Sequence, residues 1–452
     1  MCRLASRLSE QTGAHISIGR GNVGYSTSPA TWACHESYLS QLPPKNLMEG
    51  LIPFLCSRVV YCGGGGFDPF SHGISFTLSP RIAFVSEVAS TESTCSRGIV
   101  HLRDETLSQQ GLHRLHLLCG DALGSELGMW LRAGVTALVV RLLDQKYGVP
   151  ADLTPADPLN ALRQFACDPT LTCKVPTVTG QRVSALDIQW GYLNAIERNN
   201  LADGYPDWAP MVLEGWRRIL EILQYGPTPV ATALDWPIKL QIYSDFCAQF
   251  GITWEKLPDW NSVIDRIWYR YKRANLPLPE SLEPSILFGS QSPLNGSRLI
   301  STYLRKHDLD IDQLPRVSAL RHKLFELETR YLQNNGLFEQ LESAGVLDHV
   351  AIPDRMAISE AVRVPPKGTR AEVRGECVNK YHGQGAVTCS WLRVTDGANR
   401  RTMSLENPLS TSAEWQTHIV PPPPADDDLT PDSVAAIFRQ AVRRRRANRQ
   451  VF

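Results

Sequence analysis

The chain has 452 residues, 43% of them hydrophobic and 20% charged, enough at roughly 150 residues per domain for several domains and a sizeable core. Its 46 basic and 46 acidic side chains cancel, which excludes an overall polycation held to nucleic acid by counterion release. The 11 cysteines are an odd count without a C-x-x-C pair, and charges interrupt every long apolar run; the expectation is a cytoplasmic protein with free thiols, no zinc cluster and no membrane span.

In chain order, Leu4 and Leu8 predict an opening helix, followed by a short strand from His15 to Ile18. Gly19, Gly21 and Gly24 punctuate a loop that leads to the segment Ala33 to Leu39. Leu47 to Cys62 is apolar at helical spacing and ends in Gly63 to Gly66, read as a flexible turn because no Gly-Lys-Ser/Thr follows to make a phosphate loop. Gly73 to Leu78, Arg81 to Val88 and Gly98 to Arg103 read as an antiparallel meander of strands, which brings Glu87, His101 and Arg103 onto adjacent strands. Leu112 to Asp144 has a helical pattern, placing His113 and His116 three apart on one helix. Further helices fit Asp157 to Ala166, Ser184 to Asn199, Met211 to Leu223 and Trp236 to Phe250.

Residues 254–315 look like an irregular insertion with one helical patch near Val263 to Arg273. This divides the chain into a core of residues 1–362, a small α/β or β domain at 363–408, and a linker with a basic tail at 409–452 that carries Arg443 to Arg446. Read singly, the polar motifs are ambiguous. Cys34-His35-Glu36-Ser37-Tyr38 suits a metal carrying phosphates or a plain surface loop, Arg103 suits an anion or an exposed ion pair, and Trp391 suits a stacked base or a small core. No Gly-x-Ser-x-Gly elbow supports hydrolase chemistry.

The order of the motifs is more telling. Cys34-His35-Glu36-Ser37-Tyr38-Leu39 resembles the Cys-His-Glu-Asn-Tyr-Leu of the Pup ligase and Pup deamidase family. Leu51-Ile52-Pro53-Phe54-Leu55-Cys56-Ser57-Arg58 is similar to its Leu-Leu-Pro-Phe-Leu-Val-Thr-Arg, with glycines following. Ser96-Arg97-Gly98-Ile99, Arg103-Asp104-Glu105, Arg114-Leu115-His116 with Gly120-Asp121, Ser184 to Gln189, Asp235-Trp236 with Ile238-Lys239, and Arg374-Gly375-Glu376 continue the likeness to about residue 408. The Ser184 to Gln189 segment looks more like the ligase branch.

The resemblance implies an α+β fold, a glutamine-synthetase-like antiparallel sheet cradle flanked by helices with a small C-terminal domain. It also implies ATP and Mg2+, a Pup-like modifier whose glutamate is activated as an acyl phosphate, lysine-bearing protein substrates, and a link to a proteasome system. Carried over by position, Arg103 and Glu87 are the catalytic candidates; Asn22, His35, Arg114 and Trp391 would bind the nucleotide; Glu36 and His35 would hold the metal. The alternatives are a catalytically inactive relative with a binding role and a deamidase or depupylase. The family's opening Glu-x-Glu strand and its Tyr-x-Asp base have no counterpart here, which predicts an upstream coding region or strands supplied by another chain.

Overall fold

The computed structural model describes residues 2–14, 16–25, 29–92, 95–102, 111–201, 208–279, 282–350, 360–361 and 363–417. Arg103, His15 and the Arg443 to Arg446 cluster lie outside them. The chain divides into two compact units, a large one reaching Pro353 and a smaller one beginning at Asp354.

The large unit opens with α1 (Cys2–Thr12) and a short hairpin, β1 (Val23–Gly24) with β2 (Ala30–Thr31). Residues 16–18 form no strand; they run along residues 332–334 instead, with the Ile18 amide donating to Asn334 Oδ1 at 2.7 Å. β3 (Glu36–Ser40) is followed by α2 (Pro44–Ser57), which Pro44 starts where its missing N–H costs nothing. α3 (Val59–Cys62) runs into the glycines. After β4 (Gly66–Phe67) and β5 (Phe76–Thr77), the predicted strand at 81–88 is largely a 3-10 turn, Pro80–Phe84. Pro80 presets that turn, and Arg81 is drawn inward to donate to the Leu118 carbonyl at 2.9 Å.

The main sheet adds β6 (Glu87–Ser90), β7 (Gly98–His101) and β8 (His113–Leu117), in the order β3-β8-β7-β6. Its β3/β8 and β8/β7 pairs are antiparallel, but β6 pairs with β7 in parallel, which corrects the meander. The long helix expected from Leu112 is likewise two elements, β8 and α4 (Glu126–Asp144), separated by a stretch containing Gly120 and Gly124. Gly120 is required where the chains touch, since a Cβ there would sit 2.6 Å from the Cys34 carbonyl.

The helical layer continues with α5 (Pro158–Ala166), the hairpin β9 (Lys174–Pro176) and β10 (Arg182–Ser184), α6 (Ala185–Arg198), α7 (Trp208–Leu223) and α8 (Asp235–Gln249). These ends follow local chemistry: Asp157 caps α5 ahead of Pro158, and Ser184 with Asp187 forms a capping box on α6. α9 (Leu257–Arg273), α10 (Pro284–Leu287), α11 (Arg298–Lys306), α12 (Leu314–Tyr331) and α13 (Leu337–Ser343) complete the unit. The 254–315 stretch is therefore mostly helical, and its Trp260, Ile264, Ile267, Leu287 and Leu304 join the main core. α2, α4, α6 and α7 pack together beneath one face of the sheet.

In the smaller unit, a helix at Arg370–Tyr381 accompanies the antiparallel sheet β11 (Val387–Cys389), β12 (Arg393–Asp396), β13 (Arg401–Ser404) and β14 (Trp415–Thr417). Its small core is built on Val373, Cys377, Val394, Met403 and Leu405. β14 falls within the stretch read as linker. Trp391 stays out of that core, 63% exposed, with the Arg374 guanidinium 4.3 Å from its ring centre.

Gly63 to Gly66 are buried rather than a flexible turn. The Gly64 amide donates to Asp121 Oδ2 at 2.8 Å, and the Gly65 carbonyl accepts from Lys239 Nζ at 3.1 Å. Gly65 has φ +65°, and a Cβ on it would lie 2.8 Å from the Trp236 Cα. Gly65→Ala therefore meets both a left-handed backbone and a backbone clash, and is expected to lower unfolding free energy by about 2–3 kcal/mol in urea titration.

Candidate functional site

Alternation along the strands sorts the polar residues of the sheet. In β3 and β8, Glu36, Tyr38, Leu115 and Leu117 belong to the face over the helices, and Ser37, Leu39, Arg114 and His116 to the other. β7 pairs His101 with His116, placing it on the second face, while Glu87 pairs with Gly98 and so takes the register parity of Val100. Being three apart in a strand, His113 and His116 point to opposite faces, contrary to the helical reading.

The second face is rich in imidazole and guanidinium. His35 Nδ1 lies 3.1 Å from His116 Nε2, and the His116 ring is 5.0 Å, centre to centre, from both His35 and His101. Arg114 Nε donates to Ser37 Oγ at 3.0 Å. His35 and Ser37 are exposed, Arg114 is half-buried, and His116 and His101 are buried, so the row deepens from β3 to β7. Partial desolvation of the ring, then the positive charges of Arg81 and Arg114, hold the His35 pKa below its usual value. Arg81 is fixed between the Leu118 carbonyl and Thr31 Oγ1, at 2.9 Å from each.

The helix-side face does structural work. Arg58 donates from Nη2 to Glu36 Oε1 at 2.6 Å and from Nη1 to Glu36 Oε2 at 2.9 Å, and Tyr38 Oη donates to Oε2 at 2.7 Å. Burial alone would raise the Glu36 pKa, but Arg58 outweighs it and holds the carboxyl low. Both oxygens of this metal-ligand candidate are thus committed to protein partners. Asn22 is similarly engaged: its Oδ1 accepts from the Ala122 amide at 2.7 Å, and its carbonyl accepts from Trp32 and Thr31.

No Asp or Glu occupies the His35 face of β3, β8 or β7, so the described residues there fit phosphate oxygens and do not fit a bare magnesium ion. Elsewhere among the described residues, Glu126, Glu342 and His349 converge at the start of α4, where His349 Nδ1 stands 3.3 Å from Glu126 Oε1.

Motif reading passed over three residues that structure the site. Arg58 and Lys239 were visible only as motif members, and His101 only as part of an alternating run. Strand parity was a usable signal for His101; nothing local predicted that Arg58 would cross beneath the sheet to Glu36.

The family model described as Pup-ligase protein matches residues 1–274 and 296–395. The chain belongs to the Pup-ligase family. A Pup deamidase/depupylase of Mycolicibacterium smegmatis is 28% identical over 372 residues, 81% of this chain and 61% of that protein. A Pup--protein ligase of Acidimicrobium ferrooxidans is 28% identical over 390 residues, 85% of this chain and 71% of that protein. This family member thus spans about three-fifths of the length of the first relative. Among solved structures, the Pup ligase PafA in complex with ADP matches with TM-score 0.64 at 22% identity, covering 91% of this chain and 78% of that one. A complex of Pup with PafA matches with the same TM-score and identity, covering 72% of that chain. The fold is α+β with a small C-terminal sheet unit, as the resemblance implied. Among the described residues no helix is long and apolar enough to cross a membrane.

Proposed function

We propose that this chain is a cytoplasmic, ATP-dependent carboxylate-amine ligase of the Pup-ligase kind. It activates a glutamate side chain of a Pup-like modifier as an acyl phosphate and joins it to a substrate lysine, in service of a proteasome system. The observation that carries this reading is the row His35, His116, His101 with Arg114, a face of fixed donors suited to phosphate and acyl-phosphate oxygens. ATP supplies the phosphoryl group. Arg114, steadied by Ser37, presents its guanidinium to the transferred charge. His35, oriented by His116, offers a hydrogen bond. Arg103 and Trp391 keep their proposed roles at the acyl phosphate and the base, and Glu87 its proposed catalytic role. Mg2+ enters this reading through family likeness alone.

A second reading, a catalytically inactive relative that binds the same ligands, is favoured by the commitment of Glu36 to Arg58. The Pup deamidase/depupylase relative is as identical as the ligase relative, 28% each, which weighs the hydrolase branch equally with the ligase branch. One set of experiments separates the three: calorimetric titration of the full chain with ADP, then incubation with Mg-ATP, lysine acceptors and Pup peptides ending in Glu or Gln. ADP binding weakened roughly tenfold by Arg114→Ala, with isopeptide formed from the Glu peptide, supports the ligase. Ammonia from the Gln peptide without isopeptide supports the hydrolase, and ADP binding without turnover supports the inactive relative. Absence of ADP binding rejects the nucleotide reading itself.

The pH response has a defined sign. A bound anion favours the imidazolium, so ADP affinity should rise as pH falls below about 6.5, where a His35 held below its usual pKa begins to protonate, and His35→Asn should flatten that rise. Protein stability moves the other way: with its folded pKa below the unfolded value, His35 contributes least stability below about pH 6.5.

A further inference from the structure

Segments distant in sequence meet at the start of α4. Glu126 opens that helix, Glu342 lies in the last turn of α13, and His349 follows the chain reversal at Gly345, where φ is +67°. One oxygen of each carboxylate and one ring nitrogen of His349 all lie within 4.8 Å of one another, and among the described residues no other trio of His, Cys, Asp and Glu donors comes so close. The convergence is held from behind. Ser125, next to Glu126, is fixed to Asp235 Oδ2 by its amide at 3.0 Å and its hydroxyl at 2.6 Å. Asp348, next to His349, is tied to Thr232: its amide donates to the Thr232 carbonyl at 2.9 Å, and its carboxylate accepts from Thr232 Oγ1 at 2.6 Å. The Val350 amide donates to Glu126 Oε2 at 3.2 Å, which leaves Oε1 beside His349 Nδ1.

The spacing differs from that of a closed imidazole–carboxylate pair. His307 Nδ1 and Asp259 Oδ1 approach to 2.7 Å, whereas His349 Nδ1 and Glu126 Oε1 stand 3.3 Å apart. That is longer than the roughly 2.7–2.9 Å of a charge-assisted hydrogen bond. It matches the edge of about 3.4 Å in a tetrahedron whose corners lie about 2.1 Å from its centre. Charge points the same way. A protonated His349 would offset one of two neighbouring carboxylates, while a divalent ion bound by neutral imidazole offsets both.

We propose that Glu126, Glu342 and His349 bind a divalent transition-metal ion of the zinc class. One nitrogen and two carboxylate oxygens suit Zn2+, with water at the fourth corner, and suit Mg2+ poorly, since Mg2+ takes oxygen ligands in a strict octahedron. Glu342 and His349 are exposed, so the ion enters from solvent and keeps its water. Glu342, carried on the open end of α13, supplies the side-chain movement that draws the donors together. No cysteine takes part, which is why cysteine spacing gave no sign of it. The ion clips the end of α13 and the turn after it to the start of α4, a structural role that does not depend on the proposed activity.

The test strips the full chain of metal with a chelator, removes the chelator, and titrates ZnCl2 by calorimetry. A single equivalent should bind and raise the melting temperature as its concentration increases. Glu342→Gln and His349→Gln should each weaken that equivalent roughly tenfold or more, while His307→Gln leaves it unchanged. Both ligand positions are exposed, and the melting temperatures of the metal-free variants are the fold control. CoCl2 in place of ZnCl2 should give the visible bands of a nitrogen–oxygen site without a thiolate charge-transfer band. Unchanged Zn2+ affinity in both variants overturns the proposal, and so does a thiolate band, which assigns the ion to cysteines. Failure of Zn2+ to bind also overturns it and leaves His349 as the counter-ion of the carboxylates. Displacement of Zn2+ by equimolar Mg2+ overturns the nitrogen ligand and the metal class with it.

Discussion

Glu36→Ala is expected to cost about 3–5 kcal/mol of unfolding free energy, because it strands the Arg58 guanidinium in a site that is 2% exposed. Thr136 Oγ1 at 2.8 Å would remain as a partner, but a neutral hydroxyl does not balance a buried cation. Urea unfolding of the purified chain measures the loss. The companion variant Glu36→Leu/Arg58→Met removes both charges at similar volume and should recover most of the stability, since the penalty lies in the unpaired ion. If the single variant loses less than about 1 kcal/mol, the carboxylate is not the counter-charge assigned to it. The pair also sets an acid limit. The Glu36 pKa is held low in the folded protein, so its contribution is present above the ordinary carboxylate range and is lost as pH falls through the folded value.

Glu328→Ala should be similarly severe, at about 3–5 kcal/mol. Glu328 Oε1 accepts from Lys239 Nζ at 2.7 Å, and its other oxygen accepts from Tyr243 Oη. Lys239 is 2% exposed, lies 4.4 Å from the Tyr331 ring centre, and donates to the Gly65 carbonyl. Without Glu328, the ammonium keeps a carbonyl and a ring face but no opposing charge. Lys239→Met in the same background should restore part of the loss. A double-mutant cycle between Lys239 and Glu328 should return a coupling well above the roughly 0–1 kcal/mol of exposed pairs.

These two ion pairs explain why the site was harder to read than the fold. Helices α5 and α6 were legible because Asp157, Pro158, Ser184 and Asp187 act on backbone groups within a few residues. β8 was not, because five residues running into an apolar helix carry too few periods to separate strand from helix, and only pairing with β3 decides the matter. Nothing local singled out Glu328, and for Glu36 and Lys239 the sequence marked a polar residue in a motif, but polarity says nothing about facing solvent or closing a buried clamp. That depends on which distant cation or amide the fold delivers. His101 and His116 were separable in principle, because parity follows from strand assignment; Arg58 reaching Glu36 did not follow from any spacing.

The glycine cradle carries a consequence for the order in which the molecule can be assembled. Gly64 bonds to a residue 57 positions later, Gly65 to one 174 positions later, and Ile18 to one 316 positions later. A chain emerging from the ribosome can cap α5 and α6 by itself, but it cannot seat Gly63 to Gly66 until α8 has delivered Lys239, nor neutralise Lys239 until α12 has been made. Contacts of such long separation slow folding and keep apolar surface open in the interim. Nascent chains ending before Glu328 should therefore remain sensitive to protease across the 60–66 region, and that protection should appear late and all at once.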